Sequence, residues 1–124
     1  ATHGILDMAA HNGVLLHSRS AYVQGLALMG PESVPEHLAE IRPAIARLAE
    51  LCRSVNVSRQ VLALAFVRSY AQISHLVFGV HDMEQLVDTI RSFSSDVPRD
   101  VVQEAQRLFV DIKPELVMPN KWKK

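Results

Sequence analysis

The feature that most constrains this chain is a pair of short runs typical of buried β-strands, with helical patterns around them. The first run, Val14–Ser18, follows the turn signal Asn12-Gly13, and the second run, Ile73–Phe78, ends at Gly79. Short apolar runs bounded by turn residues are typical of strands that are covered on both faces. The order helix, strand, helices, strand, helices indicates a βαβ unit, in which a helical crossover joins two parallel strands.

Two parallel strands cannot form a complete sheet, because both edges keep unpaired backbone N–H and C=O groups. We therefore expect something outside these elements to complete the sheet. The residues Ile5–Ala10 already have the composition of a helix interior, and Asn12-Gly13 ends that helix. The sequence is thus predicted to begin within an element of structure.

The segment between the strands is predicted to be mainly helical. Pro43 interrupts the helical pattern and predicts a kink or a new helix start, and Ser58 can cap the next helix. That helix, Val61–Val67, is apolar almost all round, which is typical of a helix packed between other elements. The preceding helix is indicated by apolar residues that recur at steps of three and four and so form one stripe: Leu38, Ile41, Ile45, Leu48 and Cys52.

Two more helices are predicted after the second strand. Asp82 and Gln85 have the spacing of a capping box, in which each side chain accepts a hydrogen bond from a free backbone N–H at the helix start. Pro98 is placed near the start of the last helix, and Pro114 ends it. The helix that follows Asp82 carries a clean amphipathic stripe that we expect to lie in the core: Met83, Leu86, Val87, Ile90 and Phe93.

The composition excludes several functional classes. Acidic and basic residues balance at 13 each, so no basic surface favours nucleic acid. The single cysteine, Cys52, cannot form an internal disulfide and no signal-peptide pattern is present, so we expect a cytoplasmic protein. No apolar run reaches the roughly 18 residues that a membrane span needs. The six histidines lack metal-ligand spacing, so no metal site is predicted.

Three segments together resemble one enzyme family. Arg19–Leu26, after a strand, is similar to the segment that follows the seventh barrel strand of the aldo/keto reductases. Gln60–Val67 resembles a helix of that family, and Leu76–Leu86 resembles its eighth strand and the turn into its eighth helix. The resemblance extends from about Ile5 to about Phe109 and is greatest to bacterial members that carry Arg-Ser after the seventh strand.

This resemblance implies a fold and an activity. The implied fold class is α/β and helix-rich, a partial (β/α)8 TIM barrel that contains the last two strands and their helices, with residues 1–124 as one C-terminal part. The implied activity is NAD(P)H-dependent carbonyl reduction or alcohol oxidation. The implied partner is a missing N-terminal barrel portion, and neither nucleic acid nor a membrane is expected as a partner.

The resemblance also implies a cofactor site in the loops after the two strands, on the face where TIM-barrel enzymes bind their substrates. Gly79 would let the backbone approach a ligand closely, and the helix start capped by Asp82 would favour an anionic group. Arg19 stands where the family stacks an aromatic on the nicotinamide ring. The predicted cofactor-binding residues are Arg19, Ser20, Gln24, Gly25, Gly79, Val80, His81, Gln85 and Thr89.

Two departures from the family limit what the chain is expected to do. Only His81 offers a potential cation in the loop after the second strand, so either NAD is accepted or the 2′-phosphate of NADP is bound weakly. The catalytic Asp, Tyr, Lys and His motifs of the family are absent, and neither Tyr22 nor Tyr70 lies in a matching context. We therefore predict no catalytic residue and no activity for the chain alone.

A second interpretation stays open. The same helices could form a non-catalytic interaction or oligomerisation module, with the strand edges buried against a second copy of the chain. A truncated gene product without activity is a third possibility. His17 and His75, which fall in the two strands, are expected to be partly buried and hydrogen-bonded.

Overall fold

The computed structural model describes residues 4–122. The α-helices and β-strands of this part of the chain follow one another as α1 (Ile5–His11), β1 (Leu16–Arg19), α2 (Arg42–Ser54), α3 (Arg59–Arg68), β2 (Ile73–Val77), α4 (Met83–Ser94) and α5 (Arg99–Leu108). Short 3-10 helices fill the stretches between β1 and α2 and after α5: Leu26–Leu28, Pro31–Ser33, Glu36–Ile41, Pro114–Val117 and Pro119–Lys121.

The two strands form a parallel pair, as the βαβ order predicts. Leu16 is opposite Ile73 and Arg19 is opposite Val77, with an irregularity between Leu16 and His17. The crossover between the strands consists of the three 3-10 helices that follow β1, and then of α2 and α3. The carboxyl ends of β1 and β2 therefore lie side by side at one edge of the sheet.

The prediction of a partial (β/α)8 TIM barrel is wrong. The described residues are mostly helical and contain one small sheet of two strands, which is not a section of barrel wall. A barrel strand is buried on both faces, whereas β1 and β2 mix half-buried with exposed residues and contain no fully buried side chain. The helices pack chiefly on one another, through contacts of α2 with α3 and α5 and of α3 with α5. The chain is a helix-rich α/β structure.

Two apolar clusters make up the core, and both lie among the helices. The first joins α2, α3 and α5, and the second joins α2 to the 3-10 segments that precede it. All five residues of the stripe predicted from Leu38 to Cys52 are buried in these clusters, together with residues of the nearly all-apolar α3 and of α5. The buried members of the first cluster are Leu48, Cys52, Leu62, Ala65, Val101, Val102 and Ala105. Those of the second are Leu26, Val34, Leu38, Ile41, Ala44 and Ile45.

Local signals in the sequence set several helix boundaries correctly, although the last helix ends at Leu108 and not at Pro114 as predicted. Pro43 lies in the first turn of α2, directly after the 3-10 segment Glu36–Ile41, so the predicted new helix start is confirmed. Proline is tolerated there because the first N–H groups of a helix have no partner within it. Ser58 caps α3, and its Oγ accepts a hydrogen bond from the backbone N–H of Val61 at 3.1 Å.

The expected burial of the α4 stripe is wrong. Thr89 is the one fully buried residue of α4, at 3% exposure, whereas Met83 is 70% exposed and Ile90 is 52% exposed. Leu86 is half-buried. The periodicity identified the helix correctly but not the face that packs, because α4 contacts α3 through the side that carries Thr89. We call the exposed residues Met83, Val87, Ile90 and Phe93 the α4 stripe.

Candidate functional site

The loops that follow the two strands are brought together by the parallel register. Because Arg19 pairs with Val77, the segment after Arg19 and the segment after Val77 leave the sheet at the same edge. In open α/β sheets this carboxyl edge is where ligands usually bind. The resemblance assigned its cofactor residues to these two segments, and the register makes them neighbours.

The loop after β1 has an unusual backbone. Ser20, Val23 and Gln24 have positive φ angles of 60°, 48° and 54°, and Gly25 follows at 87°. A β-branched residue such as Val23 rarely occupies this left-handed region, because its Cβ crowds the backbone. Backbone hydrogen bonds hold the conformation, among them Val23 N–H to Ser20 C=O at 2.8 Å. Strained backbone of this kind is enriched at active sites, ligand-binding segments and switch regions.

The predicted Asp82 cap is present at the start of α4, but the Gln85 side chain bonds the N–H of His81 and not that of Asp82 as a capping box requires. The Asp82 Oδ1 atom accepts a hydrogen bond from the Gln85 N–H at 2.7 Å, and the Gln85 Oε1 atom accepts one from the His81 N–H at 2.8 Å. These bonds consume two N–H groups that an anion could have used. The Asp82 carboxylate also occupies the positive end of the helix dipole, so this helix start is less suited to a phosphate than the resemblance implied.

A cavity of about 340 Å³ opens beside these loops. It is bounded by the loop after β1, the start of α3, the loop after β2 and one side of α4. Its lining residues are Tyr22, Leu28, Gln60, Phe78, Gly79, Asp82, Glu84, Gln85, Asp88 and Thr89. We call this space the loop cavity.

The loop cavity gathers only part of the predicted cofactor site. Gly79, Gln85 and Thr89 line it. Gly25, which is half-buried, begins a 3-10 helix at Leu26 and is not part of the lining. The remaining predicted residues are exposed around the two loops and also do not line the cavity: Arg19, Ser20, Gln24, Val80 and His81.

Tyr22 is a site residue that the sequence reasoning missed. Its hydroxyl oxygen is buried and has no hydrogen-bond partner among the described residues, although the side chains of Gln60 and Thr89 lie nearby. Burial raises the pKa of Tyr22, and the two neighbouring side chains partly oppose that rise. Both residues were visible within the motif segments, Tyr22 beside Ser20 and Gln60 at the start of α3, but sequence spacing could not show that they meet.

The charge around the loop cavity is negative. Asp82, Glu84 and Asp88 all contribute to the lining, and none of the described lining residues is a lysine or arginine. Arg91 partly neutralises Asp88, since its Nη1 atom lies 3.1 Å from the Asp88 Oδ1 atom. Carboxylates accept hydrogen bonds from hydroxyl groups and repel phosphate. The loop cavity therefore favours hydroxyl-bearing groups over phosphates.

A larger cavity of about 610 Å³ lies elsewhere, between α3 and α5. Arg68, Arg99 and Gln103 are among its lining residues, and none of the predicted site residues lines it. Arg68 is already engaged, because its guanidinium donates hydrogen bonds to the backbone carbonyls of Phe93 and Ser95. This cavity thus has no connection with the loops after the strands.

His17 and His75 differ from expectation. They face each other across the two strands with ring centroids 4.6 Å apart, stacked and exposed rather than partly buried. No cluster of three or more potential metal ligands occurs within residues 4–122. None of the helices in that range is both long enough and apolar enough to span a bilayer.

Comparison of the chain with models of protein families, with curated proteins and with solved structures finds no match.

Proposed function

We propose that this chain supplies the cofactor-binding part of a nicotinamide-dependent oxidoreductase related to the aldo/keto reductases, and that the catalytic groups come from outside the chain. The observation that carries the proposal is the parallel register, in which Arg19 pairs with Val77. That register joins the loop after β1, the loop after β2 and the loop cavity into one surface. The unpaired Cys52 fits a cytoplasmic location.

Different residues around this surface suit the diphosphate and the ribose of a dinucleotide. Arg19 and Ser20 are exposed in the loop after β1 and suit the diphosphate, since a guanidinium group and a hydroxyl both donate to phosphate oxygens. The loop cavity suits a ribose, because its carboxylates accept hydrogen bonds from sugar hydroxyls. The buried Tyr22 hydroxyl, which lacks a partner among the described residues, is a further polar group that a ligand could satisfy.

This arrangement favours NAD over NADP. A 2′-phosphate placed near the loop cavity would meet the carboxylates of Glu84 and Asp88. His81, the one residue with cationic potential in the adjacent loop, is exposed and its backbone N–H is bound to Gln85. Repulsion between the phosphate and the carboxylates lowers the affinity for NADP.

Titration of the chain with NADH and with NADPH, followed by nicotinamide fluorescence, tests the proposal. We expect NADH to bind and NADPH to bind more weakly. Replacement Arg19→Ala should weaken NADH binding about tenfold, which corresponds to one lost charge-assisted hydrogen bond. The matched control is Arg53→Ala, an exposed arginine near the end of α2, which should leave NADH binding unchanged.

The proposal is refuted if neither cofactor changes the fluorescence at concentrations up to about a millimolar. An interaction of about −4 kcal/mol would be half saturated at that concentration, so the chain would then not bind nicotinamide cofactors. Equal weakening by Arg19→Ala and Arg53→Ala would show general charge attraction instead of a site at the loop after β1.

A further inference from the structure

We propose that α4 is the surface through which two copies of this chain form a symmetric dimer. The α4 stripe exposes the large apolar side chains of Met83, Val87 and Ile90 on one helix, and it ends at Phe93, whose ring is partly covered by the Arg68 guanidinium. Soluble chains rarely expose apolar side chains in such a continuous row, and a row of this kind usually marks an interaction surface.

The fixed position of α4 explains why its own chain leaves most of the stripe exposed. The side of the helix next to Phe93 packs on α3, where Thr89 is buried, and the Arg68 guanidinium lies over the Phe93 ring. Its last turn is held by Arg68, whose Nη1 and Nη2 atoms donate to the carbonyls of Phe93 and Ser95 at 2.5 and 2.9 Å. Rotating α4 to bury the stripe would break these bonds and expose the packed side. The stripe is therefore presented on a helix that is already anchored.

The spacing of the stripe suits a second helix. Met83, Val87 and Ile90 follow one another at steps of four and three residues, which is the repeat of a seam between two packed helices, and Phe93 lies three residues further on. The helix has 12 residues, so it is roughly 18 Å long. Exposed apolar residues continue back along the chain into the end of β2, where Val77, Phe78 and Val80 are also exposed.

The charges beside the stripe select a second copy of α4 in antiparallel orientation. Glu84 flanks the stripe near its start and Arg91 flanks it near its end, on the same side of the helix. In an antiparallel pair related by a two-fold axis, the same flank of each copy meets that of the other. Glu84 of one copy then lies opposite Arg91 of the other, and this pairing occurs twice. A parallel pair would place this flank of the two copies on opposite sides of the seam, so the Glu84–Arg91 pairs could not form.

In the monomer, the charged groups of Glu84 and Arg91 are exposed and can form ion pairs with a second copy. Arg91 is 74% exposed at its side chain and contacts Asp88 within its own helix, and no ion pair to Glu84 is present among the described residues. The antiparallel arrangement also sets the two helix dipoles in opposition, which is favourable. Apolar fit and charge pattern thus point to the same partner, a second α4.

Light scattering coupled to gel filtration, repeated over a range of protein concentrations, tests this dimer. We expect the wild-type chain to pass from monomer to dimer as concentration rises. Ile90→Glu should raise the dissociation constant at least a hundredfold, because each copy would bury an unpaired carboxylate. Val110→Glu is the matched control, since Val110 is 67% exposed and lies beyond α5. It should dimerise like the wild type.

Charge exchange gives a sharper test of orientation. Glu84→Arg alone should weaken the dimer, as should Arg91→Glu alone, and the two changes together should restore it. A circular dichroism spectrum equal to that of the wild type confirms that each variant is folded. A wild-type monomer at every concentration overturns the proposal, whether or not another protein covers the stripe. A dimer that survives Ile90→Glu, or a double exchange that fails to restore it, overturns it equally.

Discussion

Two regions of the molecule differ in whether their apolar side chains are buried or exposed. The helical body, residues 26–68 and 97–108, contains every fully buried side chain of the described chain except those of Ala9 and Thr89. The sheet region, residues 5–19 and 73–94, contains most of the exposed large apolar side chains, among them Leu15 of β1 and Ile90 of α4. The two regions have similar apolar composition, so burial depends on packing partners and not on residue type.

We expect the helical body to determine the stability of the chain and the sheet region to bind its partners. The helical body carries both core clusters and is closed on itself, so it should hold the chain together without help. The sheet region has open strand edges, an exposed stripe and the loop cavity, so it is where a cofactor or a second copy would act. Substitutions in the two regions should therefore have different consequences.

The largest contrast should come from two isoleucines in helices. Ile45→Ala in α2 removes a side chain that is 1% exposed and should lower the free energy of unfolding by about 2–5 kcal/mol. Ile90→Ala in α4 removes one that is 52% exposed, and its effect should stay within about 0.5 kcal/mol in dilute, monomeric protein. Urea unfolding of both variants measures the two values. Similar losses would show that the α4 stripe is packed in solution.

The sequence predicted the helical body well because local rules decide it. The α2 stripe, the Pro43 helix start and the Ser58 cap each act over a few residues, and the structure has all of them. The sheet region was predicted less well. Periodicity shows that α4 has an apolar face, but only tertiary contacts decide which face packs, and here Thr89 is inside while Ile90 is outside.

The candidate site likewise has one part that the sequence predicts and one part that it does not. The helix cap by Asp82 was predictable, since its bond to the Gln85 N–H follows from a spacing of three residues. The meeting of Tyr22 with Gln60 and Thr89 was not, because it joins three segments that are far apart in the chain. The partial barrel was wrong for a related reason: a strand pattern does not reveal how many strands the finished sheet contains.

A pair of glycines tests the junction between the regions. Gly25→Ala and Gly79→Ala each add a Cβ that would contact nothing within 4 Å, but only Gly25 has a positive φ, at 87°. Gly25→Ala should therefore lower the free energy of unfolding by about 1–2 kcal/mol, whereas Gly79→Ala should leave it nearly unchanged. Thermal unfolding compares them. If both variants lose the same free energy of unfolding, the positive φ angle at Gly25 does not make the loop after β1 more sensitive to substitution than the loop after β2.

Two helix caps extend the comparison at a smaller scale. Ser58→Ala in the helical body and Asp82→Ala in the sheet region each remove one cap bond, worth about 1 kcal/mol. The loss of the Ser58 cap should lower global stability. The loss of the Asp82 cap should mainly speed hydrogen exchange at the first amides of α4. If Asp82→Ala lowers global stability as much as Ser58→Ala, then α4 unfolds together with the helical body.

The smallest effect should appear at alkaline pH, with one titrating group in the helical body and one at its junction with the sheet region. Burial raises the pKa of Cys52 despite the opposing charge of Arg59, and burial likewise raises the pKa of Tyr22. A raised pKa means that the folded state keeps its proton after the unfolded state has lost it. Stability from both groups is therefore complete below their ordinary pKa values and decreases as pH rises through the folded values.

Unfolding free energies measured from about pH 7 to about pH 11.5, a range that extends above the ordinary pKa values of thiol and phenol, should thus fall with rising pH. Cys52→Ala should remove the earlier part of that fall, because a thiol titrates below a phenol, and Tyr22→Phe should remove the later part. Each variant changes the baseline stability through packing, so the slope against pH is the quantity to compare. If Tyr22→Phe leaves the slope unaltered while Cys52→Ala flattens it, then the phenol at the loop cavity is hydrated in solution and the junction is more open than the helical body.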